Sequence, residues 1–131
     1  MRFCHVAANL PPYGLVTESF DIKLLVVPNR LSMRERASFQ AGVEAVNRGA
    51  TVIDPQLSAT TLTVDGRRSE AWDHALQCCC PDDPLWRQLS PAQRLSIWWS
   101  IGNALFESPG RYQLVLKLGE LESIAEVEVT P

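Results

Sequence analysis

Apolar residues recur at every second position in three separate segments of this 131-residue chain. Successive side chains of a β-strand point to opposite faces, so this spacing predicts strands that each bury one face. Strands of this kind satisfy their backbone hydrogen bonds and their apolar faces together when they form two packed sheets. The three segments are Phe39-Ala41-Val43-Ala45, Leu95-Ile97-Trp99-Ile101 and Tyr112-Leu114-Leu116-Leu118.

Further strands are predicted between clear turn signals. Residues 20–27 alternate until Pro28-Asn29, and residues 60–64 are rich in β-branched side chains and end at the turn pair Asp65-Gly66. We also predict short strands at residues 51–53, at residues 69–76 around Trp72, and at residues 125–129.

Nine prolines and seven glycines stand mostly between these runs, and no strand–helix–strand alternation is visible. The sequence therefore predicts an all-β protein, an antiparallel immunoglobulin-like β-sandwich of about seven strands in residues 20–131. Residues 1–19 contain Pro11-Pro12 and Gly14 without a sustained period, and we expect an irregular N-terminal arm there.

Residues 32–47 allow two interpretations. Ser32 and Glu35 form a capping-box pattern that favours a helix. The alternation from Phe39 to Ala45 favours a strand, and Gly42 inside a helix would cost about 1 kcal/mol relative to alanine. We predict the strand, closed by a turn at residues 47–49.

Charge and hydropathy exclude several classes of partner. The formal net charge of -3 gives no positive field for phosphate backbones or anionic lipids, so nucleic acid and membrane surfaces are not expected partners. No window approaches the roughly 18 uncharged apolar residues of a membrane-spanning helix. The first twelve residues, interrupted by His5 and Asn9, make a poor secretory leader.

The four cysteines are Cys4 and the contiguous Cys78, Cys79 and Cys80. Neighbouring cysteines do not make a spaced disulfide framework, which indicates a reducing compartment and predicts a cytoplasmic protein.

Two motifs in the C-terminal half resemble those of bacterial immunoglobulin-like domains. Trp86-Arg87-Gln88-Leu89-Ser90-Pro91 precedes one strand, and Pro109-Gly110-Arg111-Tyr112-Gln113-Leu114 opens the next hairpin. Residues 39–47, a strand ending in Asn, resemble an earlier part of the same layout. The layout is similar to the bacterial intracellular proteinase inhibitor family, whose members are cytoplasmic immunoglobulin-like domains. The resemblance implies this fold and, as its most specific function, inhibition of a proteinase, but no inhibitory loop can be transferred residue by residue.

The segment around the three cysteines is a candidate for chemistry. His74, Cys78, Cys79, Cys80 and the following Asp82-Asp83 could together bind a soft or borderline metal, or supply a thiol nucleophile. Structural zinc sites usually space their cysteines two to four residues apart, because adjacent side chains on an extended segment diverge. We therefore predict no metal and no cofactor, and keep a thiol or metal site as the alternative.

Motifs of catalysis are missing from the sequence. It contains no Cys-x-x-Cys, no Gly-x-Ser-x-Gly and no glycine-rich phosphate loop. We predict that the chain is not an enzyme.

Trp98 and Trp99 are adjacent, so on a strand they face opposite sides. If Trp99 fills the core, Trp98 lies on the outer face, where it either anchors a partner or is covered by a loop, a second subunit or the N-terminal arm. Trp72 and Trp86 are predicted in the core or at its rim.

We predict a non-catalytic protein-binding module. The candidate partner-binding residues are Trp98, Arg67, Arg68, Asp82 and Asp83. Self-association as a structural subunit through a sheet face or an edge strand remains the alternative for the same surfaces.

Overall fold

The computed structural model describes residues 20–78 and 86–131. The arm predicted at residues 1–19 lies outside the described residues, as do Cys79, Cys80, Asp82 and Asp83. None of the described helices is long and apolar enough to cross a membrane.

Eight strands and two short α-helices make up the described part of the chain. The strands are β1 (Phe20–Val27), β2 (Arg30–Ser32), β3 (Gln40–Asn47), β4 (Thr61–Val64), β5 (Arg67–Arg68), β6 (Arg94–Trp99), β7 (Gly110–Leu118) and β8 (Leu121–Thr130). The helices are α1 (Glu70–Cys78) and α2 (Gly102–Leu105), and 3-10 turns occupy Met33–Ser38 and Leu57–Ala59.

The strands form two sheets. One has three strands in the order β1-β3-β6, and the other has five in the order β2-β8-β7-β4-β5. All pairings are antiparallel except that of β2 with β8. The consecutive strands β1 and β2 belong to different sheets and are joined through a cis Val27-Pro28 peptide. The fold is all-β, an immunoglobulin-like sandwich, as the sequence predicts.

The core lies between the two sheets and follows the alternation seen in the sequence. Phe39, Ala41, Val43 and Ala45 are fully buried on β3 and on its approach, while Leu114 and Leu116 are fully buried on β7. The other buried apolar side chains from the predicted strands include Phe20, Leu24, Leu62, Leu95, Trp99, Val127 and Val129. Strand alternation was therefore sufficient to identify most of the core.

Residues 69–76, predicted as a strand, form helix α1 instead. Its buried residues Trp72, Ala75 and Leu76 recur at helical spacing, and the Ser69 Oγ caps the helix by accepting the Trp72 N–H at 3.1 Å. Burial of Trp72 and Trp86 in the core is confirmed. The helical spacing and the cap decide this segment against a strand.

The predicted strand at residues 51–53 is wrong as well. It is reduced to one isolated bridge, in which Ile53 and Leu89 exchange backbone hydrogen bonds of 3.0 and 2.7 Å. The segment joins β3 to β4 without a ladder of its own.

The ambiguous segment, residues 32–47, contains both predicted features in succession. The Ser32 N–H donates to the Glu35 carboxylate at 2.8 Å, which lowers the pKa of Glu35, and a 3-10 turn follows. The strand then begins at Gln40, so the strand prediction for this region is confirmed and the helical alternative is limited to a short turn.

Asn47 is a buried polar residue that organises one end of the sandwich. Its Nδ2 donates to the carbonyls of Thr51 and Leu89, both at 2.8 Å, and its Oδ1 accepts the Gly49 N–H at 2.8 Å. Every polar group of this side chain therefore has a partner, and these hydrogen bonds compensate for the desolvation of the buried amide.

Candidate binding surface

An apolar row crosses the outer face of the three-stranded sheet. Leu25 on β1 pairs with Gly42 on β3, and Gly42 pairs with Trp98 on β6. Directly paired residues share a face of the sheet, so Leu25 and Trp98 stand on either side of a residue without a side chain. Val27 lies two residues beyond Leu25 on the same face. We call Leu25, Val27, Gly42 and Trp98 the Trp98 face.

Two of the three apolar side chains of this face are open to solvent, and the third, Leu25, is half-buried. Trp98 is 38% exposed and Val27 is 52% exposed, whereas neighbouring Trp99 is 8% exposed and packs edge-to-face on Trp72 at 5.1 Å between ring centroids. The opposite placement of the two adjacent tryptophans is as predicted. A tryptophan left on a sheet surface is the kind of residue that dominates binding energy when a partner covers it.

Polar side chains flank the Trp98 face along the same strands. Glu44 accepts a hydrogen bond from the Ser96 hydroxyl at 3.3 Å and lies 3.8 Å from an Arg94 guanidinium nitrogen. At the end of the sheet, Arg48 forms an ion pair with Asp21. An apolar centre with a polar rim is the usual composition of a protein interface.

The predicted basic residues Arg67 and Arg68 lie elsewhere. They form β5 at the edge of the five-stranded sheet, after a tight turn in which Asp65 and Gly66 both have positive φ, 51° and 84°. This turn connects β4 to β5 as a two-residue hairpin, which explains the Asp-Gly pair. The structure thus separates these arginines from Trp98, which belongs to the other sheet.

Arg68 is held by a side chain of helix α1. Its Nε and Nη2 donate to the two carboxylate oxygens of Asp73 at 2.9 and 3.3 Å, and this pairing raises the pKa of Arg68. Both arginines line an open groove of about 760 Å³, with Glu70, Leu105 and Tyr112 among the other lining residues. Of the two arginines, Arg67 is the one with no salt bridge among the described residues.

The thiol and metal alternative falls largely outside the described residues. Cys78 is the last residue of α1, and His74 is an exposed residue of the same helix. Within residues 20–78 and 86–131, no three His, Cys, Asp or Glu side chains are grouped to hold a metal ion. Asp82 and Asp83, predicted to bind a partner, stay untested predictions.

Sequence reasoning missed two parts of the surface. The alternation of residues 20–27 places Leu25 and Val27 on the face of β1 opposite to Phe20 and Leu24, but the apolar character of this second face is not part of the sequence-based prediction. A strand that is apolar on both faces is a signal for a covered or functional surface. The second missed part is the position of β6 at the edge of its sheet, which depends on strand order and has no local signal.

Comparisons with known proteins gave no family and only remote structural likeness. No protein-family model and no curated protein matches the chain. The CARDB domain of a Pyrococcus furiosus protein, solved in complex with di-metal ions, is 11% identical with a TM-score of 0.49, covering 85% of this chain and 92% of that one.

Two β-glucosidases are also similar over part of their length. The Erythrobacter marinus enzyme is 10% identical with a TM-score of 0.49, and the match covers 86% of this chain and 15% of that chain. The Listeria innocua enzyme, solved with glucose, is 12% identical with a TM-score of 0.41, covering 86% and 16%. The chain therefore spans a small part of each glucosidase.

Proposed function

We propose that this chain is a protein-binding module whose Trp98 face is the contact surface. The proposal depends on one observation, the exposure of Trp98 within an apolar row on a regular sheet. Because β1, β3 and β6 hold this row by backbone pairing, little order would have to be gained on binding, and a rigid aromatic side chain costs little conformational entropy to bury.

The charges of the chain support a protein rather than a polyanion as the partner. The net charge is -3, and three of the charged groups near the Trp98 face, Arg94, Arg48 and Asp21, are already engaged in ion pairs on the surface. A surface of this kind offers no unneutralised cluster of positive charge for phosphate groups. We propose a cytoplasmic partner, in line with the contiguous cysteines.

The test is a comparison of two exposed apolar side chains. Trp98→Ala removes the centre of the proposed surface, and Ile124→Ala removes a side chain that is 54% exposed on the outer face of the other sheet. Immobilised parent protein and both variants are incubated with native cell extract, and captured proteins are identified. We expect a specific protein that is retained by the parent and by Ile124→Ala and lost with Trp98→Ala. Equal capture by all three proteins would refute the proposal.

Proteinase inhibition is the more specific form of this proposal. The support is the Arg67-Arg68 hairpin, because an exposed arginine held on a rigid turn can enter the acidic specificity pocket of a trypsin-like enzyme. A panel of proteinases tests it, with Arg67→Ala as the matched variant. We expect the parent at near-stoichiometric concentration to slow one of the enzymes, and Arg67→Ala to lose this effect. If no enzyme is slowed, inhibition is rejected, and the proposal for the Trp98 face is unaffected.

A further inference from the structure

We propose that a second copy of this chain binds beside Trp98, at the edge of the three-stranded sheet, by antiparallel pairing of β6 with β6. This inference goes beyond the proposed function, because pairing at the β6 edge would leave Leu25 and Val27 on the open face of the sheet. It would combine two three-stranded sheets into one continuous six-stranded sheet with a two-fold axis.

The first support is the edge position of β6. Within the described ranges, no strand pairs with the side of β6 that faces away from β3. Alternate residues of a strand direct their N–H and C=O groups to opposite sides, so half of the backbone groups of β6 point to this open side. Such groups form a template for pairing with another strand.

The second support is a contrast between β6 and the other sheet edges. The five-stranded sheet ends in β2, with three residues, and β5, with two, whereas β6 has six. Strand β2 covers β8 at residues 128–130, and β8 also lies against β1. The remaining edge strand, β1, lies against β8, and the Leu24 N–H donates to the Ser123 hydroxyl at 2.8 Å. The segment Arg94–Trp99 contains neither proline nor lysine, the residues by which natural proteins block edge pairing.

The third support is the self-complementarity of the outer face of β6. Directly opposed residues of an antiparallel pair share a face, so a two-fold axis at Ser96 places Ser96 opposite its own copy and Arg94 opposite the partner's Trp98. Each guanidinium would then lie beside an indole, a favourable cation–π pair that occurs twice by symmetry. No two like charges on β6 are opposed in this register, and on the inner face Leu95 meets Ile97.

The experiment uses charge at the proposed axis. Ser96 is exposed, so lysine or glutamate at this position leaves the monomer's core unchanged. Sedimentation velocity over a concentration series measures the mass of the full-length parent, of Ser96→Lys, of Ser96→Glu and of the equimolar mixture of the two variants. Gln113→Lys, an equal change of charge on an exposed residue of β7, is the control.

We expect the parent and Gln113→Lys to approach twice the mass of one chain as concentration rises. Each Ser96 variant should dimerise at least about tenfold more weakly, because two like charges would face each other directly. The mixture should recover dimerisation, because only the heterodimer pairs lysine with glutamate. This rescue is specific to an axis at Ser96. A dimer that forms by another surface would have the same strength in Ser96→Lys, in Ser96→Glu and in their mixture.

Failure of this inference is distinguishable from failure of the proposed function. A parent chain that stays monomeric at every concentration, or Ser96 variants that dimerise as the parent does, would overturn the second-copy inference. If Trp98→Ala still abolished capture of a different protein in that case, the Trp98 face would remain a binding surface for that protein. A monomeric parent, together with equal capture of proteins by the parent and by Trp98→Ala, would reject both proposals.

Discussion

Gly42 of β3 lies so close to β6 that a β-carbon built on it would overlap the carbonyl oxygen of Ile97. The obstruction is backbone, which cannot turn aside as a side chain would. Glycine at this position therefore permits the close approach of β3 and β6, and it also leaves the centre of the Trp98 face without a side chain. The same residue thus serves the packing of the sheet and the shape of its outer surface.

We expect Gly42→Ala to reduce the free energy of unfolding by about 2–3 kcal/mol, because the strands would have to separate to admit the methyl group. Chemical denaturation followed by tryptophan fluorescence measures this loss. Gly66→Ala is the comparison, since Gly66 has a φ of 84° and open space around it. It should cost only about 1 kcal/mol, from backbone strain alone. A cost at position 42 no greater than at position 66 would contradict the close approach.

Thr60→Val is expected to destabilise the fold by about 1–3 kcal/mol without changing the volume of the core appreciably. The buried Thr60 hydroxyl accepts the Trp72 indole N–H at 3.0 Å and donates to the Leu57 carbonyl at 2.7 Å. Valine would leave the indole N–H buried without an acceptor. Thr61→Val, on the partly exposed face of β4, controls for the general effect of the substitution and should change stability by no more than about 0.5 kcal/mol. Similar effects of the two variants on the denaturation midpoint would refute the role of this hydrogen bond.

Asn47→Asp is expected to destabilise the protein by at least about 2 kcal/mol at neutral pH. The amide nitrogen of Asn47 donates to two carbonyls, so a carboxylate there would face two acceptors in a buried site. Asn103→Asp, at an exposed position of α2, is the matched control and should be nearly neutral. Thermal unfolding by circular dichroism distinguishes them, and an unchanged melting temperature for Asn47→Asp would show that the amide is dispensable.

Asp54→Asn is expected to raise stability at neutral pH and to have no effect in acid. Burial raises the pKa of Asp54 above its ordinary value of 3.8, against smaller opposing effects of the Gln56 N–H and of Arg87. A carboxyl with a raised folded-state pKa contributes stability below the unfolded pKa and loses it as pH rises through the folded value. Asparagine keeps an acceptor for the Gln56 N–H, which donates to Asp54 Oδ1 at 2.8 Å, and avoids the charge.

Melting temperatures of the Asp54→Asn variant and the parent, measured from pH 3 to pH 7, check this dependence. The higher melting temperature of Asp54→Asn should appear as the pH rises above 3.8, the ordinary pKa of an aspartate. A difference independent of pH would show that charge burial is not its cause.

Trp98→Phe is expected to remove most of the tryptophan fluorescence that acrylamide can quench. Trp72, Trp86 and Trp99 are at most 8% exposed, so Trp98 is the one tryptophan open to the quencher in the described structure. The quenching constant of the variant should fall well below that of the parent, while unfolding midpoints agree. A parent protein whose tryptophans are all protected would show that the Trp98 face is covered.

Alternation along single segments was enough to predict the sandwich. The inward residues of β1, β3, β6 and β7 repeat every two positions, and each is positioned by the pleat of its own strand. Helix α1 is not predicted by strand alternation, although Ser69 followed by Glu70 is a helix-start signal and Trp72 and Leu76 are four residues apart.

The binding surface could be predicted only in part. The outward direction of Trp98 follows from its adjacency to Trp99 and needs no knowledge of the fold. Its alignment with Leu25 and Gly42 depends on register between strands that are distant in sequence, and the open edge of β6 depends on strand order. Both are set by the whole sandwich, so local patterns in the sequence did not contain them.

Strands β1 and β2 are consecutive in sequence but belong to different sheets, and β2 pairs with the distant strand β8. Among the strands of residues 20–78 and 86–131, β2 pairs with β8 alone, so residues 30–32 have no strand partner there until residues 128–130 are in place. During synthesis β1 can pair with β3 early, but β2 must wait until β8 has emerged. Closure of the five-stranded sheet is consequently a late event, and its cost in chain entropy is that of closing the long loop between β2 and β8.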